Sequence, residues 1–201
     1  MTEVSDSSKR SPRGGIADLA ETLVITFFIV TLIFTYILRI VSVKGGSMEN
    51  TLMPGDKVLV NLLDKTPENG DIILINADSS YILSEDGSVE KGEGVDDIIV
   101  KRVIAHGGQS IDIDFASGAV YVDGVKLKES YLKLGLTHAD GGAFTGKYPL
   151  YIPDGYLFVM GDHRYVSKDS RSAEIGFVPE ESVIGKVILR FFPFSNFGTV
   201  S

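Results

Sequence analysis

The distribution of apolar residues divides the chain into two regimes. From Thr22 to Leu38 no residue is charged, and Leu23, Val24, Ile25, Phe27, Phe28, Ile29, Val30, Leu32, Ile33, Phe34, Ile37 and Leu38 leave no polar face. A helix that is hydrophobic all round has no place to sit in a one-domain soluble protein. At ~1.5 Å per residue this uncharged run extends about 25 Å, and Arg39 is positioned to snorkel to an interface, so a membrane-spanning helix is predicted over residues 17–41. The alternatives are a buried core helix or a cleaved targeting segment; Val41-Ser42-Val43 is a poor cleavage site, which favours a retained anchor. Residues 1–16 are polar, rich in Ser and broken by Pro12, Gly14 and Gly15, and are expected to form a flexible tail.

After the span the pattern changes to short β-prone runs separated by turn residues. Strands are predicted at Lys57 to Asn61, Asp71 to Ile75, Ile98 to Ile104, Ser110 to Phe115, Ala119 to Val122, Tyr156 to Met160 and Val183 to Phe192. Asp123-Gly124 marks a tight hairpin, because Asp-Gly supplies the positive φ such turns need. Two polar, Gly-rich stretches, Asp78 to Asp97 and Lys133 to Lys147, are expected to be surface loops or hairpin extensions. The fold class is therefore mainly β: one N-terminal helix, then an antiparallel β-domain over 42–201.

Composition narrows the chemistry. The 201 residues include no cysteine, which excludes disulfides and thiol chemistry. The net charge of -8 argues against nucleic acid as a partner, since phosphate neutralisation needs clustered cations and the longest basic cluster is Lys9, Arg10, Arg13. Those three cations precede the span, which favours a cytoplasmic N-terminus with the rest of the chain outside; Arg39 and Lys44, after the span, weaken that signal.

Three polar constellations stand out. In the first, Gly45-Gly46 precedes Ser47 within the run ending Met53-Pro54-Gly55-Asp56; the glycines let a substrate approach and leave the hydroxyl accessible. The second is Ile98-Ile99-Val100-Lys101-Arg102-Val103-Ile104, where strand alternation sends the two cations to opposite faces, so that one faces the packing. Desolvation lowers a lysine's pKa, and a neutral amine within reach of a serine can act as its general base. The third is Gly161-Asp162-His163-Arg164 leading to Ser167-Lys168-Asp169-Ser170-Arg171, a dense polar loop after the apolar strand Leu157 to Met160. Taken singly, each has an ordinary reading: a linker, a snorkelling or edge-strand lysine, a solvated turn.

Together and in this order they resemble the bacterial type I signal peptidases, membrane enzymes that remove signal peptides from exported proteins. The resemblance implies a barrel-like signal-peptidase/LexA-like β-fold, with Ser47 as nucleophile, Lys101 as general base and Ser167 hydrogen-bonding the lysine amine. It implies supporting ion pairs among Asp169, Arg171, Asp162 and Arg102. Apolar pockets for small side chains at an Ala-x-Ala site would be lined by Val43, Met48, Leu52, Ile99 and Val100, with backbone around Gly45 pairing to the extended substrate. The implied partners are preprotein signal peptides, the lipid bilayer of the cytoplasmic membrane and the secretion translocon; no cofactor or metal is expected.

The chain departs from the family pattern at several positions. Gly45 stands where some members carry a serine that completes the oxyanion hole, Asn50 replaces a proline, and His163 replaces an asparagine. Ala105-His106-Gly107-Gly108-Gln109 replaces the more common turn after the lysine strand. His106, His138 and His163 lack the spacing of a metal site and are expected to be structural or solvent-facing. Two other functions remain as alternatives, a LexA-like self-cleaving regulator and a membrane-tethered scaffold that does no chemistry.

Overall fold

A computed structural model describes residues 12–133, 137 and 141–200. These form two compact units, one ending at Leu38 and the other beginning at Arg39. The first is the helix α1 (Pro12–Tyr36), whose stretch from Gly15 to Tyr36 is long and apolar enough to cross a membrane. Its apolar side chains, Leu23, Phe27 and Phe28 among them, are exposed. Three threonines in this stretch keep their hydroxyls satisfied inside the helix: Thr22, Thr31 and Thr35 donate to the carbonyls of Asp18, Phe27 and Thr31. That back-bonding suits a helix with no water to turn to.

The helix ends at Tyr36, short of the Val41 limit drawn from hydropathy, and Leu38–Ser42 is the strand β1. The apolar run continues through the boundary, so hydropathy cannot see it; the Ile40-Val41 pair favours extended backbone, and Val43 is fixed by two main-chain bonds, Val43 N–H to Asp56 O and Gly55 N–H to Val43 O. Of the predicted tail, residues 1–11 lie outside the described residues, and the helix already runs from Pro12.

The second unit contains β2 (Lys57–Asn61), β3 (Ile72–Asn76), β4 (Ser79–Leu83), β5 (Val89–Glu93), β6 (Ile98–His106), β7 (Ser110–Asp114), β8 (Ala119–Val122), β9 (Val125–Lys126), β10 (Leu150–Tyr151), β11 (Tyr156–Met160), β12 (Val178–Pro179) and β13 (Val183–Phe192). A seven-stranded sheet runs in the order β1-β2-β13-β3-β6-β11-β12, and a four-stranded sheet in the order β10-β7-β8-β9. The stretch Asp78 to Asp97, expected to be a surface loop or a hairpin extension, is largely the hairpin β4-β5. The ladders of β2 to β13 are antiparallel. The Asp-Gly turn between β8 and β9 forms as the sequence predicts, with φ of 50° at Asp123 and 76° at Gly124.

The position of β3 and β6 in the middle of the large sheet decides the environment of the site. On β3, Ile72 and Leu74 enter one apolar cluster with Met48, Leu52, Val58 and Val60, while Ile73 and Ile75 enter another with Val103, Leu157 and Val159. Both faces are therefore covered, and on the neighbouring β6 the side chains from Lys101 to Ala105 are buried whichever way they point. The register sets Ile72 opposite Arg102 and Ile73 opposite Lys101, so the two cations leave opposite faces, and both are buried.

Candidate active site

Lys101 is 3% exposed, and its Nζ donates to Ser47 Oγ at 2.9 Å and to Val100 O at 3.1 Å. Burial is the main influence on its pKa and lowers it from 10.5 to about 8, against the upward pull of the Asp169 and Asp162 carboxylates. A substantial fraction of the amine is thus neutral near physiological pH, the state in which nitrogen can accept a proton.

The strand and loop around this pair are held by two buried ion pairs. Arg102, on the far face of β6, makes a two-point contact with Asp162, Nε to Oδ1 at 2.9 Å and Nη2 to Oδ2 at 2.7 Å, and its Nη1 donates to Gly70 O at 2.7 Å. Thr51 Oγ1 donates to the same carboxylate, which joins the segment after Ser47 to the pair. Asp169 is paired with Arg171 through Nε and Nη2, at 2.8 and 2.9 Å, and accepts from Gly161 N–H at 3.0 Å. Burial pushes the Asp169 carboxyl up, but Arg171 and the hydrogen bonds outweigh it and hold the pKa below the usual value. Such bidentate, fully satisfied pairs are the form in which buried charge is tolerated.

The polar loop after β11 closes on the serine through the main chain, with His163 N–H donating to Ser47 O at 2.9 Å. Gly161 sits in the narrowest place: a Cβ there would lie 2.2 Å from Ser167 Oγ and 2.4 Å from Ser47 O. Ser167 is therefore beside the serine segment, as the resemblance implies, but the expected bond to Lys101 is not made. The lysine's donors go to Ser47 and Val100, and the buried Ser167 hydroxyl instead helps hold the Asp169 carboxyl low.

A groove of about 470 Å³ opens beside the pair, lined by residues 39–45 and 97–101 with Ser47, Met48 and Leu74. Of the residues expected to contact substrate, Val43, Gly45, Met48, Ile99 and Val100 all border it. Leu52 does not; it is fully buried in the cluster beneath β2 and β3, because Leu52 N–H turns back to Met48 O and carries the side chain inward. The space at Gly45 is open, with no atom within 4 Å of where a Cβ would stand.

Two supports escaped sequence reasoning. Arg190 of β13 donates to Thr51 O at 2.9 Å and to Asp56 Oδ2 at 3.2 Å, and so anchors the segment that carries Ser47. Tyr131 lies over the Arg102 guanidinium at 4.0 Å. Neither has a local signal, since each acts on a residue far away in the chain. His106 is exposed, His163 lies near Glu49 with Nδ1 3.9 Å from its carboxylate, and His138 lies outside the described residues. Among the described residues no group of three or more His, Asp or Glu side chains is placed to hold a metal ion.

Comparison with known proteins places this geometry in context. A family model described as "Signal peptidase, peptidase S26" matches residues 16–192. A signal peptidase IB from Staphylococcus aureus is 32% identical over 190 residues, covering 88% of this chain and 89% of its own length. A probable signal peptidase I-2 from Synechocystis is 27% identical over 204 residues, covering 100% of this chain and 84% of its own. Among solved structures, a signal peptidase I from Enterococcus faecalis is 26% identical with a TM-score of 0.42, covering 61% of this chain and 97% of its own.

Proposed function

The chain belongs to the signal peptidase family, peptidase S26, and we propose that within it Ser47 is the nucleophile and Lys101 the general base. The protein is a membrane-anchored serine endopeptidase that removes signal peptides from preproteins. The observation that carries the residue assignment is the 2.9 Å contact between a buried, pKa-lowered amine and a serine hydroxyl.

In this reading the extended substrate lies in the groove between residues 39–45 and 97–101, with small side chains set against Val43, Met48, Ile99 and Val100. Lys101 takes the proton of Ser47 as Oγ attacks the scissile carbonyl, and the resulting ammonium returns it to the leaving amine. The same lysine then deprotonates the water that hydrolyses the ester. Ser47 N–H, which has no hydrogen-bond partner among the described residues, donates to the oxyanion. Asp162, Arg102, Asp169 and Arg171 do no chemistry; they hold β6 and the 161–171 loop in place, and Ser167, beside Gly161, supports the Asp169 carboxylate.

The finer cellular picture is also part of the proposal: the N-terminus in the cytoplasm, the β-domain outside the cytoplasmic membrane, and preproteins delivered by the secretion translocon. It is supported by Lys9, Arg10 and Arg13 ahead of the span. The family match favours neither alternative; the Ser-Lys pair tells against the scaffold, and the membrane-length apolar helix at the N-terminal side tells against the LexA-like regulator, which would keep the same pair. The test is processing of a preprotein with an Ala-x-Ala site by the full chain in detergent. Cleavage is expected from the wild type and from neither Ser47→Ala nor Lys101→Arg, the latter because guanidinium stays protonated. Retained cleavage in either variant refutes the assignment.

A further inference from the structure

The segment that precedes the polar stretch at Lys133 touches each of the three elements that build the site. Glu129 pairs with Arg164 of the loop after β11, and both side chains are almost fully buried. Tyr131 covers Arg102 on the strand that carries the base. Lys133 pairs with Glu49, two residues beyond Ser47, and its backbone N–H donates to Asp162 O at 3.3 Å.

The segment has its own internal order. Leu132 is buried, Leu132 N–H donates to Glu129 O at 3.3 Å, and Tyr131 Oη donates to Glu129 Oε1 at 3.1 Å. Burial, reinforced by the Glu129 carboxylate, holds the Tyr131 phenol protonated well above its ordinary range, so it remains a donor wherever the enzyme works. A surface loop with no role beyond connection would not place alternate side chains, at 129, 131 and 133, on three separate parts of one site.

Building on the Ser47 and Lys101 reading, we infer that Glu129, Tyr131 and Lys133 form a strap that fixes the nucleophile segment, the base strand and the 161–171 loop relative to one another. They are positioning residues: none reaches the reacting atoms, and each acts through a group that borders them. A shift of about 1 Å between nucleophile and base can lower the rate by as much as ~10²-fold, so contacts of this kind act on the chemical step rather than on substrate affinity.

The test uses the full chain in detergent micelles and a peptide spanning an Ala-x-Ala site, with kcat and KM measured across pH. Lys133→Glu sets two carboxylates against each other on the surface, where folding is not at risk, and should lower kcat about fivefold with KM held within about twofold. The swapped pair, Glu49→Lys with Lys133→Glu, should recover most of that loss. Tyr131→Leu should lower kcat about tenfold while leaving the midpoint of the pH-rate rise in place, because the ring covers Arg102 on the face of β6 opposite Lys101, whereas Tyr131→Phe, which keeps the ring over Arg102, should stay near wild type.

Wild-type kcat in Lys133→Glu, a loss that the swap does not recover, or a rise in KM at constant kcat would each overturn the strap. The control separates this from the reading beneath it: if Ser47→Ala cleaves as well as wild type, the nucleophile assignment fails, whereas an inactive Ser47→Ala beside fully active strap variants sinks the strap alone.

Discussion

Replacing Lys101 with Met should abolish processing and, at the same time, make the folded protein more stable by an amount that depends on pH. Burial lowers the pKa of Lys101 from 10.5 to about 8, and this displacement of roughly 2.5 units corresponds to about 3 kcal/mol at ~1.36 kcal/mol per unit. Well below pH 8 the amine is protonated in both states, and the folded protein bears the full cost of the buried charge. Between about 8 and 10.5 the folded protein sheds the proton while the unfolded chain keeps it, so the unfolded state binds more protons and wild-type stability climbs with pH.

Methionine is similar in length, carries no charge and incurs no such cost at any pH. Loss of the Nζ bonds to Ser47 Oγ and Val100 O offsets about 1 kcal/mol. The variant should therefore exceed wild type by about 2 kcal/mol at pH 7, and the difference should vanish or reverse slightly by pH 10.5. Guanidinium unfolding of both full-length proteins in the same detergent, followed by far-ultraviolet circular dichroism from pH 7 to 10.5, measures this. Every other titrating group cancels in the difference. A difference that stays flat with pH, or a variant less stable at pH 7, means the amine is not desolvated, and the base assignment falls with it.

The same titration governs the rate. In the proposed mechanism the neutral amine is the active form, so kcat/KM should rise from pH 7 to pH 9 with a midpoint near the about 8 of Lys101; a midpoint near 10.5 would refute the desolvation argument. Gly45→Ser fits open space and offers a second donor to the oxyanion, so kcat should increase by about tenfold or more at unchanged KM, and an unchanged kcat would mean the hole is already complete. Gly161→Ala forces a methyl into contact with Ser167 Oγ and Ser47 O and should lower kcat by about 10²-fold, whereas wild-type turnover would show the loop free to move aside.

Much of this architecture is legible in the chain because its signals are local. Strands β2, β8, β11 and β13 lie where β-propensity and turn residues place them, and the Ser47 and Lys101 segments are recognisable from their short motifs. The misplaced features share a physical cause. Apolar residues continue on both sides of Arg39, from Ile37 to Val43, so the change from helix to strand after Tyr36 is invisible to hydropathy. Leu52 resembles a pocket residue in sequence, but the turn back to Met48 O buries it. Ser167 reaches the neighbourhood of Ser47 without meeting the lysine. Arg190 and Tyr131 matter only through partners brought near by the folded sheet, and no spacing rule reports such contacts.

The strand β13, last in chain order among the described residues, lies between β2 and β3 in the large sheet, and its Arg190 reaches the segment that carries Ser47. Order of synthesis and order of assembly therefore differ: a nascent chain that has emerged only as far as Gly176 has its motifs in hand but a gap through the centre of its sheet. Closing that gap is a long-range pairing, of the kind that folds slowly, and the Arg190 contact to the Ser47 segment forms only with it.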